Sequence, residues 1–283
     1  MRIDFTKMHG LGNDFIVLSL PSESSLPNVD QWRALADRHA GIGFDQALVL
    51  LPPRRADTDV FYRVFNADGG EVEQCGNGAR CIAVLLHERG RGNADTLQLD
   101  SVGGLLQARV LPDGRVAVDL GVPDFRPEAL PFDAPGQQTV PDPQERTYRL
   151  SVAGQMIEFG AVSIGNPHAV LTVGSLERAP VEAIGRALQS DPHFPRQVNV
   201  GFMQISDPGH ISLRVYERGV GETQACGTGA CAAVAVGRAH GSLSQDVEVR
   251  VAGGTLSVHW GGAGQSAWLT GPAQRAFEGR VEI

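Results

Sequence analysis

The sequence predicts an α+β protein built as two pseudo-symmetric halves, each a mostly antiparallel, barrel-like sheet wrapped around a central helix. Three observations lead there. First, RVFNADGGEVEQCGNGA, residues 63 to 79, lies over RVYERGVGETQACGTGA, residues 214 to 230, at an offset of 151, with Arg63, Val64, Gly70, Glu71, Cys75, Gly76, Gly78 and Ala79 meeting identical residues. At an offset of 153, GNDFIVL, residues 12 to 18, lies over GNPHAVL, residues 165 to 171, which places Asn13 over Asn166 and Gln46 over Asn199. Ordered similarity at several blocks is the mark of a duplication. Second, most of the remaining apolar residues fall in short β-branched or alternating runs. Third, each copy contains a segment that is apolar almost all round, as a helix enclosed by its own domain should be.

Taken in order, a leader containing Lys7 reads as a strand, followed by DFIVLSL (14–20) and by an amphipathic helix at VDQWRALADRHA (29–40). Strands at ALVLL (47–51) and DVFYRVF (59–65) precede Cys75, where the buried helix of ARCIAVLLHERG (79–90) begins. TLQLDSV (96–102), LLQARVL (105–111) and RVAVDL (115–120) complete the first copy as strands. Residues 123 to 144 carry six of the 17 prolines without helical or strand periodicity and read as an extended linker. The second copy repeats the order: strands at RLSVAG (149–154), MIEFGAVSI (156–164) and AVLTV (169–173), a helix at VEAIGRALQS (181–190), and strands at GFMQIS (201–206) and ISLRVYE (211–217). The buried helix of ACAAVAVGRAHG (230–241) and strands at VEVRVAG (247–253) and LSVHW (256–260) follow.

Composition narrows the function. A net charge of -8 and a pI near 5.5 leave no basic face to neutralise phosphates, so no nucleic-acid partner is expected. The apolar run FIVLSL (15–20) is too short to span a bilayer and has no basic leader before it, so neither membrane insertion nor export is expected, and a cytoplasmic location is. The four cysteines sit as Cys75 with Cys81 and Cys226 with Cys231, spaced along helices beyond disulfide reach, which points to thiols in a reducing compartment. No metal is expected, since neither spacing is Cys-x2-Cys and the eight histidines are scattered. Lys7 is the only lysine, which leaves little room for a Schiff-base cofactor.

Every cysteine belongs to, or closely follows, a Cys-Gly-x-Gly stretch at a helix start. Cys81 and Cys231 lie inside the helices and read as small buried hydrophobes. Cys75 and Cys226 stand at the entry points, where glycines should turn free backbone N–H groups outward and the helix dipole should lower a thiol pKa from about 8.5 toward neutrality. Two such helix starts converging on one cleft would hold a carboxylate between two sulfurs, with one thiol removing an α-proton and the other supplying one to the opposite face. That describes a two-base racemase or epimerase. A thiol hydrolase with His168 as base would leave one cysteine without a role, and an inactive amino-acid-binding protein would not need either. Asn13, Asn66 and Asn166, taken singly, are also ordinary turn residues, and Glu217 with Arg218 an ordinary surface pair.

The strings HGLGNDF, GFDQ, FNADG, CGNGARC, IGNPH, VNVGFMQI and YERGVGETQACGTGACA resemble diaminopimelate epimerase along essentially the whole chain. The resemblance implies a cofactor-independent enzyme of lysine and cell-wall precursor synthesis, with the diaminopimelate epimerase-like fold and diaminopimelate as its small-molecule substrate. It implies Cys75 and Cys226 as the acid and base, with Glu217 and His168 supporting them. Gly76, Asn77, Gly227 and Thr228 would hold the reacting carboxylate, and Asn13, Gln46, Asn66, Asn166, Asn199, Glu217 and Arg218 would line the pocket. It further implies a homodimer, and a first half of residues 1–125 completed by 272–283 around a second half of 126–271. A proline or hydroxyproline racemase-like enzyme is the alternative of the same fold.

Overall fold

Alternating runs in the sequence become strands whose buried faces enclose a helix. A computed structural model describes residues 2–72, 75–90, 96–134 and 147–282. The chain divides into two compact units, Met1–Asp119 with Thr270–Ile283, and Leu120–Leu269.

In the first unit, β1 (Arg2–Gly10) and β2 (Asn13–Ser19) form a hairpin. Its two turn residues, Leu11 and Gly12, have φ of 56° and 86°, the left-handed pair whose twist suits a two-residue connection. Helix α1 (Val29–Ala36) crosses back so that β3 (Gln46–Leu51) runs parallel to β2, and β4 (Val60–Asn66) then turns antiparallel. A short β5 (Glu71–Val72) folds onto β4. Helix α2 (Gly76–Glu88) makes the second crossover, after which β6 (Leu97–Ser101) lies parallel to β4. Finally β7 (Gly104–Val110) and β8 (Val116–Asp119) follow as an antiparallel meander.

The second unit repeats this wiring. After β9 (Tyr148–Val152), β10 (Gln155–Ser163) and β11 (Pro167–Thr172) are antiparallel, α3 (Val181–Gln189) crosses over, and β12 (Asn199–Asp207) is parallel to β11. Next come β13 (His210–Glu217) and a short β14 (Gly221–Thr223), then α4 (Gly227–Ala239) as the second crossover. Strand β15 (Asp246–Val251) lies parallel to β13, and β16 (Gly254–Trp260) turns back along it. The chain then runs through β17 (Ala267–Gly271) to β18 (Gln274–Glu282), which pairs antiparallel with β1. Each unit is thus a mostly antiparallel sheet with two parallel neighbours, each created by a helical crossover.

Burial explains the apolar helices. In α2 the residues from Asn77 to Ala83 are all buried, and in α4 those from Gly229 to Gly237. Small residues let α4 sit close to its sheet: a Cβ on Gly160 would stand 2.4 Å from Val236 Cγ1. Helix α1 is shorter than its periodicity predicts because the Asp37 carboxylate takes the N–H groups of His39 and Ala40, both at 2.7 Å, and turns the chain out of the helix. The proline-rich stretch also differs from an extended linker. Residues 135–146 lie outside the described residues, but Leu130 and Phe132 are buried in the second unit's core, where Phe132 stacks on Phe194 at 4.5 Å. Its prolines masked two apolar anchors. Among the described residues, no helix is long and apolar enough to cross a membrane.

Candidate active site

Strand direction gathers the polar residues. Strands β2 and β3 begin, and β4 ends, at one end of the first sheet, so Asn13, Gln46 and Asn66 arrive together there; Gln46 and Asn66 are direct cross-strand partners, and Gln46 Nε2 donates to Asn66 Oδ1 at 2.9 Å. The second unit does the same with Asn166 and His168 at the start of β11, Asn199 at the start of β12, and Glu217 and Arg218 at the end of β13.

Each thiol caps a helix. Cys75 precedes α2 with extended backbone and its sulfur accepts from the N–H of Gly78 at 3.4 Å; Cys226 does the same for α4 with Gly229, also at 3.4 Å. The sulfur therefore takes the place of an N-cap oxygen. Those two N–H groups are bound to sulfur and do not point outward, contrary to the expectation from the motif. The second glycine of each motif is required by packing: a Cβ at Gly78 would lie 2.8 Å from Leu48 Cδ2, and one at Gly229 would lie 2.9 Å from Val215 Cγ2 and 3.2 Å from the Cys226 sulfur.

Cys226 is 5% exposed, and its surroundings reverse the expected shift. Burial first, then the Glu217 carboxylate, push its thiol well above the ordinary value of 9.0, outweighing hydrogen bonds from Thr228 and Gly229. Burial likewise raises the Glu217 carboxyl, against the hydrogen bond from Thr223. Thr223 Oγ1 donates to Glu217 Oε1 at 2.5 Å, an orienting contact with no sequence signal beyond proximity to the motif.

A hydrogen-bonded chain runs to the same sulfur from His168. This ring is fully buried; burial and the Arg218 guanidinium lower its pKa to about 3 from 6.5, so it is neutral. Its Nε2 donates to Asn166 Oδ1 at 3.0 Å, Asn166 Nδ2 donates to Thr228 Oγ1 at 3.4 Å, and the Thr228 hydroxyl lies 3.6 Å from Cys226 Sγ. His168 Nδ1 is buried with no hydrogen-bond partner among the described residues, as is Gln46 Oε1. Asn199 is tied inward: its Nδ2 donates to the Pro167 carbonyl at 3.1 Å and its Oδ1 accepts from Arg218 N at 2.9 Å. The exposed Arg218 side chain donates to the Arg196 carbonyl at 3.2 Å.

The first unit has the matching pair with opposite amide polarity. Asn77 Nδ2 donates to Asn13 Oδ1 at 3.4 Å, while Asn13 Nδ2 donates to Asp45 Oδ2 at 3.0 Å. Asp45 belongs to a cluster the sequence reading passed over, with Asp14, Arg38 and Lys7: Arg38 bonds both carboxylates, and Lys7 Nζ donates to Asp14 at 2.5 Å and to the Gly43 carbonyl. These cations hold the Asp14 carboxyl well below its usual range despite its burial. No group of three His, Cys, Asp or Glu side chains among the described residues could hold a metal ion.

The family pattern for diaminopimelate epimerase matches residues 5–126 and 160–276. The chain belongs to the diaminopimelate epimerase family. It is 49% identical over its full length to diaminopimelate epimerase of Alkalilimnicola ehrlichii and 50% identical to that of Thioalkalivibrio sulfidiphilus, in both cases covering all of the relative. Among solved structures it is similar to a hydroxyproline epimerase from Agrobacterium vitis, with a TM-score of 0.69 at 18% identity, covering 99% of this chain and 92% of that one. That likeness shows a shared fold. The seven strings that carry the resemblance all lie within the matched spans, and the isomerase class follows from membership of the diaminopimelate epimerase family.

Proposed function

We propose that this chain interconverts LL- and meso-diaminopimelate without a cofactor, by α-proton transfer between Cys75 and Cys226, within lysine and peptidoglycan precursor synthesis. The observation that carries the reading is the repetition of one local arrangement, a thiol capping a buried helix whose second residue is hydrogen-bonded to an asparagine, in both units of a family member. In this reading the two units are the two halves of the enzyme, contributing one thiol each.

With Cys226 held protonated by burial and Glu217, it is the proton donor for a substrate of one hand. Cys75 begins as the thiolate: the substrate Cα–H bond breaks, its proton passes to that sulfur to make the thiol, and the electron pair moves into the carboxylate as an enediolate. The Cys226 S–H bond then delivers its proton to the opposite face of Cα, and the two sulfurs exchange states for the reverse reaction. Gly76 and Asn77 on one helix start, and Gly227 and Thr228 on the other, would stabilise the charge that develops on the carboxylate. The amides of Asn13, Gln46, Asn66 and Asn166, with Glu217 and with Arg218 whose backbone Asn199 holds, suit a substrate with two amino-acid ends better than a ring. Orientation of Thr228 by His168 through Asn166 supports a helper role for His168. A cytoplasmic homodimer is part of the same proposal and follows from the family resemblance.

Incubation with LL-diaminopimelate in deuterated water tests it. Isomerisation with α-deuterium in the parent, lost in both Cys75→Ala and Cys226→Ala, is the expected outcome. No exchange in the reduced parent, with exchange on proline or hydroxyproline, would transfer the activity to the ring-substrate reading.

A further inference from the structure

One repeated feature takes no part in the chemistry above. Arg63 and Glu71 recur in the second copy as Arg214 and Glu222. Arg63 Nε and Nη2 donate to the two oxygens of Glu71, both at 2.6 Å, and Arg214 Nε and Nη2 donate to the two oxygens of Glu222 at 2.6 and 2.8 Å. The registers agree as well: Phe65 opposes Glu71 and Tyr216 opposes Glu222, so each arginine reaches its glutamate diagonally from two residues back on the same strand face. These are fork-to-fork pairs on partly covered side chains, 20% and 32% exposed in the first unit and 33% and 36% in the second. Each arginine is anchored from behind, Arg63 over the Phe65 ring at 5.2 Å and Arg214 through a 2.9 Å bond to the Leu176 carbonyl.

The pairs span hairpins that the backbone alone holds weakly. Among the described residues, strand β5 has two residues and β14 three, too few ladder bonds for independent stability. Each glutamate stands four residues before its thiol, and each arginine three residues before the strand-end residue, Asn66 or Glu217. Across the hairpin the ion pair therefore ties Glu71 or Glu222, four residues before the thiol, to the strand that ends in Asn66 or Glu217. In the second unit the charge of that strand-end residue, Glu217, helps to raise the Cys226 thiol pKa, and Thr223, the residue after Glu222, donates to Glu217 Oε1 at 2.5 Å.

We propose that Arg63–Glu71 and Arg214–Glu222 are positioning pairs, each setting the place of its own thiol against the strand-end residue of the same unit. Their effect on turnover rests on the two-thiol reading, while their effect on the thiols does not. An ordinary surface ion pair would contribute little and would leave both thiols unchanged.

The test follows the pH dependence of iodoacetamide alkylation at Cys75 and Cys226 separately, by peptide mass spectrometry, without substrate. Arg214→Gln is expected to lower the Cys226 midpoint by about half a unit or more, as the thiol leaves Glu217, with Cys75 unmoved. Arg63→Gln is expected to change the Cys75 profile with Cys226 unmoved. Reversal of the pair, Arg214→Glu with Glu222→Arg, should restore the Cys226 midpoint, and Glu222→Gln reads the same contact should Arg214→Gln not fold. With substrate, kcat should fall about tenfold or more while KM changes little. Unmoved profiles in both single variants, or both thiols moving together in one variant, would overturn the proposal. A parent that exchanges no deuterium yet shows these thiol responses would sink the epimerase reading and keep the positioning pairs.

Discussion

Cys226 shows how a local signal can mark a sulfur at a helix start while its surroundings set the protonation the other way. The motif marks the sulfur at a helix start, where the dipole alone favours thiolate, but two facts outside the motif decide the balance: the sulfur is buried, and the carboxylate of Glu217 lies beside it. Glu217→Gln removes that charge, so the pH midpoint for alkylation of Cys226 should fall; a midpoint that stays or rises would show that the carboxylate does not control the thiol. His168 gives a second prediction. Its ring binds a proton near 6.5 when unfolded and near 3 when folded, so the unfolded chain takes up more protons between those values and stability declines as pH drops from 6.5 toward 3. His168→Gln should flatten the fall of the thermal midpoint across that range, and an unchanged slope would assign the acid sensitivity elsewhere. The asparagines were legible because the duplication placed Asn13 over Asn166 and Gln46 over Asn199. Asp45 and Thr223 were not, because an orienting partner has no spacing rule and is found only when the chain brings it near.

At the scale of the element, strands and helices were largely readable, and the exceptions have physical causes. Strands β5 and β14 are shorter than any period can reveal, and Asp37 ends α1 with its side chain where apolar spacing continues. The Cys-Gly-x-Gly motif predicts glycines that turn free N–H groups outward, yet Gly78 and Gly229 are small because Leu48 and Val215 press against them. Gly229→Ala is accordingly expected to destabilise the protein by about 1–3 kcal/mol through overpacking, seen as a lower thermal midpoint, and to disturb Cys226 because the added methyl also meets its sulfur. A variant as stable as the parent would mean that the α4 entry has room. The identities Arg63 and Glu71 were visible in the repeat from the outset, but only register explains why residues eight apart in sequence should be kept as a pair in both copies.

At the scale of the whole molecule, the duplicated wiring accounts for the family fold: two crossovers per unit, the second ending in a helix enclosed by strands. The units are not equivalent in chain continuity. The second is one stretch, Leu120–Leu269, whereas the first requires Thr270–Ile283 to return. Removing residues 274–283 should therefore unfold the first unit preferentially, with hydrogen exchange rising in β1 and β2 before α4; uniform exchange throughout would refute this. The β1–β18 pairing also imposes an order in time. Phe5 finds its partner Gly279 only after some 270 further residues have been made, on the order of tens of seconds at about 5–20 residues per second. Throughout that interval the earlier half waits with β1 unpaired on one side, while the later, uninterrupted half has its last residue, Leu269, made before Gly279 and depends on no segment beyond it. Chaperone dependence during synthesis should accordingly fall on the half that is translated first.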